Sequence, residues 1–267
     1  MKKRIFISIA FISIAFSPKM NAQNYQTIKL WPDSLEEAEM YVYLPETKAD
    51  TVPAVLICPG GGYQGLAMGY EGHDMAKWYI ENGFAAIVLK YTMPKGRYEL
   101  PLRDAEKAIS MIRAHATEWK INPNQVGVIG SSAGGHLAAS LSTLAAGENR
   151  PDFAILYYPV ISFEDGVTHG GSKNNLLGIE ANNPGLVTHY SLEQQVDDKT
   201  PPTLLLLSDD DKAVLPENSI RYYRALKAHN IPAAMYIFPV GGHGWGFREA
   251  YSYQNEARNL IRKWLGF

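Results

Sequence analysis

The chain has one cysteine, no excess of basic charge and no long apolar run. Cys58 is that cysteine, so an intrachain disulfide is impossible and stability has to come from a core. Lys and Arg total 25 against 27 Asp and Glu, a formal net charge of −2. No basic face for nucleic acid is expected from that balance. The longest apolar stretch, Ile5 to Phe16, has 12 residues and is too short to span a bilayer comfortably. There is also no internal repeat, no low-complexity segment and no linker rich in Pro, Gly or Ser. With 46% hydrophobic and 19% charged residues the chain reads as globular rather than disordered.

What is present begins with a leader. Lys2, Lys3 and Arg4 precede the apolar run, and Ser17, Pro18 and then Met20-Asn21-Ala22 follow it. Residues 1–22 read as a signal peptide, with no stable membrane insertion once it is cut, and with a periplasmic or extracellular destination. Residues 23–267 read as one catalytic domain. Within it, apolar runs at 40–44, 52–58, 84–91, 126–129, 153–158, 203–207 and 233–238 lack polar alternation. They are separated by helical patterns at 71–82, 102–119, 133–146, 217–228 and 249–265. Buried-type strands alternating with helices predict an α/β fold with a mostly parallel central sheet and helices on both faces. Residues 162–200 break this rhythm. They are polar and aperiodic, and read as a lid or a substrate-facing insertion.

Gly130-Ser131-Ser132-Ala133-Gly134 follows a strand and opens a helix. In that setting a G-x-S-x-G string projects a nucleophilic serine, Ser132, above the sheet, and the N–H of Ala133 faces the same space. A serine needs a base. Of the late histidines, His189 precedes the strand at 203–207 and His229 ends a charged helix. His243 follows the strand at 233–238 and is flanked by glycines, in the chain order Ser, acid, His. The acid is expected where the strand at 203–207 ends in Asp209-Asp210-Asp211. Asp210 is the first choice, with Asp211 and then Asp209 behind it. Gly61 and Gly62, after the strand at 52–58, are the further candidates for holding an oxyanion beside Ala133. No metal or organic cofactor is called for. Tyr63, Met68, His169, Trp245 and Phe247 read as packing residues before substrate contacts.

Several stretches together resemble the α/β-hydrolases of the BD-FAE-like and acetylxylan esterase-like group of bacterial carbohydrate esterases. They are Cys58-Pro59-Gly60-Gly61-Gly62-Tyr63, Glu71-Gly72-His73-Asp74, the serine motif with Gly135-His136-Leu137-Ala138, Pro216-Glu217-Asn218-Ser219 and Gly241-Gly242-His243-Gly244. The resemblance implies the α/β-hydrolase fold, Ser132, Asp210 and His243 as a triad, and an acylated carbohydrate as partner. It implies removal of a short acyl group, chiefly acetyl, from glycans such as acetylated xylan. Pro59 stands where related esterases often have His, and Ser131 where many have Phe. A broad carboxylesterase is the main alternative. A prolyl-oligopeptidase-type peptidase is a weaker one, because the large N-terminal domain of that group is missing from this sequence. A lipase would call for an apolar lid, which 162–200 does not offer, and a noncatalytic binder for a lost triad member.

Overall fold

A computed structural model describes residues 25–33 and 37–266. The leader expected at 1–22 lies outside the described residues. Eight strands form one sheet in the order β1-β2-β4-β3-β5-β6-β7-β8. They are β1 (Gln26–Lys29), β2 (Glu39–Tyr43), β3 (Val52–Cys58), β4 (Ala85–Lys90), β5 (Ile121–Ser131), β6 (Ala154–Tyr157), β7 (Thr203–Ser208) and β8 (Ala233–Phe238). β2 pairs antiparallel with both β1 and β4. From β4 to β8 every pairing is parallel. This is the α/β-hydrolase sheet.

Among the described residues there are seven α-helices: α1 (Asp74–Glu81), α2 (Glu99–Ala114), α3 (Ser132–Thr143), α4 (Gly170–Leu177), α5 (Pro184–His189), α6 (Glu217–Ala228) and α7 (Gln254–Leu265). The uniformly apolar strands are explained by their two faces. Leu56 and Cys58 of β3 share a core with Ile109 of α2, Leu137 of α3 and Leu226 of α6. Their neighbours Val55 and Ile57 share the opposite core with Met75 of α1 and Ile261 of α7. A strand whose successive side chains enter two cores has no position left for a polar residue.

The structure departs from the sequence reading in several places: the strand expected at 126–129 runs over Ile121–Ser131, and the helices expected at 102–119 and 133–146 end at Ala114 and Thr143. β1 was not expected; it is a four-residue edge strand whose side chains are only partly covered. β8 is an edge strand rather than a buried one, with Tyr236 and Ile237 exposed. The helix expected at 102–119 starts at Glu99, because Pro101 is tolerated in a first turn that needs no N–H. The helix expected from 249 starts at Gln254. Residues 162–200 contain α4 and α5, each opened by a side-chain cap that composition concealed: His169 accepts from the Ser172 N–H, and Asn183 from that of Gly185.

Candidate active site

β5 delivers Ser132 to the C-terminal edge of the sheet, and α3 begins on that residue. Ser132 has φ +54°, which costs a non-glycine residue on the order of 1–2 kcal/mol. The surrounding glycines enforce it. A Cβ on Gly130 would lie 2.2 Å from the Gly134 carbonyl oxygen, and one on Gly134 would lie 2.1 Å from that of Cys58. Strand, turn and helix can therefore cross only if both positions lack side chains.

His243 Nε2 lies 2.8 Å from Ser132 Oγ, and its Nδ1 lies 2.7 Å from Asp211 Oδ2. The expected acid is thus corrected: Asp211, not Asp210, stands behind the histidine. Asp210 is exposed, and its Oδ1 accepts the Gly242 N–H at 2.7 Å, holding the loop that carries the histidine. Asp211 is buried, and its Oδ1 accepts the N–H groups of Ala213 and Val214. Those two bonds cap the turn after β7 and leave Oδ2 for the imidazole. The ring of Tyr158 meets His243 edge-on at 4.8 Å.

The loop after β3 lies against Ser132, and a Cβ on Gly60 would lie 3.0 Å from the Ser132 Cβ. Gly61 and Gly62 have φ of +138° and +65°. The Gly61 carbonyl accepts from Gln64 and Gly65, the Gly60 carbonyl from Ala67, and the Gly62 carbonyl from Asn175 Nδ2 at 2.8 Å. With those acceptors occupied, the N–H groups of Gly61 and Gly62 have no acceptor among the described residues. Ala133 is the second residue of α3, where a helix has no internal partner for its N–H. Of the residues read as packing, Tyr63, Trp245 and Phe247 are buried, while Met68 and His169 are partly exposed.

Two buried polar groups brace this arrangement, and the sequence reading gave neither a role. Glu71 is 2% exposed. Its Oε2 accepts the Gly60 N–H at 2.8 Å and its Oε1 the Tyr158 hydroxyl at 2.7 Å, while the Tyr158 oxygen accepts the Gly246 N–H at 2.7 Å. One carboxylate therefore ties the glycine loop, the end of β6 and the histidine loop together. Burial holds that carboxyl above its ordinary range, against the opposing pull of its hydrogen bonds. A periodic signal for it exists: Glu71 falls in step with Met75 and Tyr79, both fully buried. Glu71→Gln offers one acceptor to two donors. It is expected to lose about 1–3 kcal/mol of stability and to lower kcat by roughly 10- to 100-fold through displaced loops. Thermal melting and p-nitrophenyl acetate kinetics check this; wild-type values in both would remove Glu71 as a brace.

His136 is fully buried, with Nδ1 2.9 Å from the Tyr63 hydroxyl and Nε2 3.0 Å from the Tyr190 carbonyl, and its ring stacks on Phe163. A neutral ring donating from Nε2 and accepting at Nδ1 satisfies both contacts. Burial pushes the imidazole down to about 4 from the ordinary 6.5, and the bond to Tyr190 opposes only part of that. Because the folded value is depressed, the contribution to stability is complete above pH 6.5 and is lost as the pH falls toward and through 4. The loss amounts to about 3 kcal/mol. Urea unfolding of the wild type and of His136→Gln at pH 7 and pH 4 should show a smaller acid loss in the variant by about that amount. Parallel losses would refute the assignment.

The BD-FAE family model matches residues 40–168. An acetylxylan esterase of Xylanibacter ruminicola is 34% identical over 99% of this chain and 55% of its own length. Endo-1,4-beta-xylanase B of Butyrivibrio fibrisolvens is 35% identical over 76% of this chain and 34% of its own. The chain thus spans about half, or less, of these curated relatives. An acetyl ester-xyloside bifunctional hydrolase of Caldicellulosiruptor lactoaceticus superimposes with a TM-score of 0.84. It is 34% identical, with 90% of this chain and 95% of that one covered.

Proposed function

The chain belongs to the BD-FAE family of α/β-hydrolases and carries a carboxylic ester hydrolase domain; from that premise we propose that it is an exported serine esterase that removes short acyl groups, chiefly acetyl, from plant-type polysaccharides such as acetylated xylan. The observation that carries the reading is the line from Ser132 through His243 to Asp211, at 2.8 and 2.7 Å. The names of the relatives support the acyl group and the glycan. The basic start and short apolar run of residues 2–16 support export.

His243 Nε2 takes the proton of Ser132 as Oγ attacks the ester carbonyl. Asp211 holds the proton on Nδ1 and stabilises the imidazolium that forms. The carbonyl oxygen becomes an oxyanion held by the N–H groups of Ala133, Gly61 and Gly62, each donor contributing about 3 kcal/mol in the transition state. The C–O bond to the sugar breaks, and the sugar oxygen leaves with the proton from His243. Water, deprotonated by the same imidazole, then releases the acid and restores Ser132.

The test is acetate release from acetylated xylan, with p-nitrophenyl acetate as control. Release from both supports a glycan deacetylase. Hydrolysis of the small ester alone keeps the serine chemistry and discards xylan. No hydrolysis of either discards the reading.

A further inference from the structure

A cleft of about 770 Å³ lies at the C-terminal edge of the sheet, beside the glycine loop. Its inner wall is Gln64 to Leu66, the direct continuation of Gly61 and Gly62, and its outer wall comes from Lys90 at the end of β4 and the segment that follows. β4 stands two strands from β5, so the cleft begins about 10 Å from the strand that presents Ser132. That is about the reach of a neighbouring sugar on an extended glycan.

The outer wall is cationic. Lys90 is matched by Glu39 at 3.5 Å. Lys95 and Arg97 are exposed and make no ion pair among the described residues, and Glu37 is the one carboxylate among the described lining residues. Two unmatched cations on one wall are a local exception in a chain of net charge −2.

The segment is also held in a costly conformation. Lys95 has φ +49°, although it carries a side chain. Gly96 packs on Gly178, where a Cβ on Gly178 would lie 2.8 Å from the Gly96 Cα. Asn175 joins this segment to the catalytic side: its carbonyl accepts the Gly96 N–H at 3.3 Å, and its side chain donates to the Gly62 carbonyl at 2.8 Å. One residue of the 162–200 insertion thus fixes the cationic wall relative to the loop that faces the acyl group. A strained residue persists where its surroundings over-determine it, and such strain gathers at ligand sites.

We propose that this cleft is a subsite for a carboxylate-bearing sugar, a uronic acid branch on the glycan whose neighbouring residue carries the acyl group. Arg97 offers a planar fork to the carboxylate and Lys95 a second charge. Tyr41, which is partly exposed, supplies aromatic surface for the sugar ring. The assignment rests on the glycan-esterase reading and adds selectivity for acidic regions of the polymer.

The experiment compares acetylated xylo-oligosaccharides with and without uronic acid branches, on the wild type, Lys95→Ala and Arg97→Ala. Each variant should raise KM for the branched substrate about tenfold, with the unbranched substrate and p-nitrophenyl acetate unchanged. Roughly 0.5 M salt should erase most of the wild-type preference. Equal changes on both oligosaccharides, or none, overturn the subsite. If the wild type deacetylates neither, the glycan-esterase reading has failed, and calorimetry decides the subsite. Binding of a deacetylated uronic acid-branched oligosaccharide to the wild type, lost in Arg97→Ala, keeps it; absence of binding overturns it.

Discussion

Ser132→Ala should lower kcat for p-nitrophenyl acetate by about 10⁵- to 10⁶-fold and leave the fold intact. Oγ is the atom that forms the acyl bond, and its loss disables the histidine and aspartate behind it, so the effect is that of losing the whole relay. A residual acceleration of roughly 10³-fold over water should persist, because the Ala133, Gly61 and Gly62 N–H groups still meet the carbonyl. Stability should change little. The hydroxyl makes one hydrogen bond, to His243, and the left-handed φ at position 132 is as costly for alanine as for serine. The check is single-turnover kinetics with mass detection of the acetylated protein: a mass gain of one acetyl in the wild type and none in the variant. An alanine variant that still acylates would place the nucleophile elsewhere.

The strain at Ser132 belongs to a wider pattern. Of the six described non-glycine residues with positive φ, three stand at the site: Ser132, Tyr63 and Tyr158. Tyr63 follows the glycine run and is held by His136, while Tyr158 follows β6 and is held by Glu71. All three stand where a strand or its following loop turns at the site. Buried hydrogen bonds keep conformations that local preference opposes, as expected where geometry serves chemistry. Glu71 and His136 thus explain two of the stretches that carry the family resemblance. A third is explained by Asn218, whose buried side chain accepts the N–H groups of Ile161 and Ser162 and donates to the carbonyls of Val167 and Leu215.

The sheet was legible because each inner strand enters two cores, and a run such as Leu204 to Leu207 has no other reading. Ser132 and His243 were legible because glycines on both sides of each mark a sharp turn at a strand end. What stayed hidden was decided by distant partners. β8 carries the same apolar residues as the inner strands, yet no ninth strand among the described residues covers it, and sequence does not count neighbours. Glu71 looked like any first-turn acid; only the Gly60 N–H and the Tyr158 hydroxyl, 87 residues away in the latter case, give it a role. The short helices of 162–200 depend on single caps rather than on a repeating face. Asp209-Asp210-Asp211 presents three adjacent carboxylates, the sequence reading ranks Asp210 first, and the place of Asp211 behind His243 rests on a turn of two backbone bonds.

That turn makes the sharpest contrast among the variants. Asp211→Asn is expected to lower kcat by about 10⁴-fold, whereas Asp210→Asn should stay within about threefold of the wild type. In Asp211→Asn the amide oxygen keeps the N–H groups of Ala213 and Val214, because both are donors, and this turns the amide NH₂ toward His243 Nδ1. The imidazole must then accept at Nδ1 and carry its proton on Nε2, so that an N–H rather than a lone pair faces Ser132 Oγ. The base is present, correctly placed, and in the wrong tautomer. In Asp210→Asn the side-chain oxygen still accepts the Gly242 N–H, so the histidine loop keeps its support. Because only the tautomer is at fault, raising the pH toward the alkaline range should recover part of the Asp211→Asn rate, as hydroxide takes the Ser132 Oγ proton that the histidine no longer accepts. Asp210→Asn should keep the wild-type pH profile. Full pH–rate curves for both variants decide the matter: a crippled Asp210→Asn beside an active Asp211→Asn would return the acid's role to Asp210.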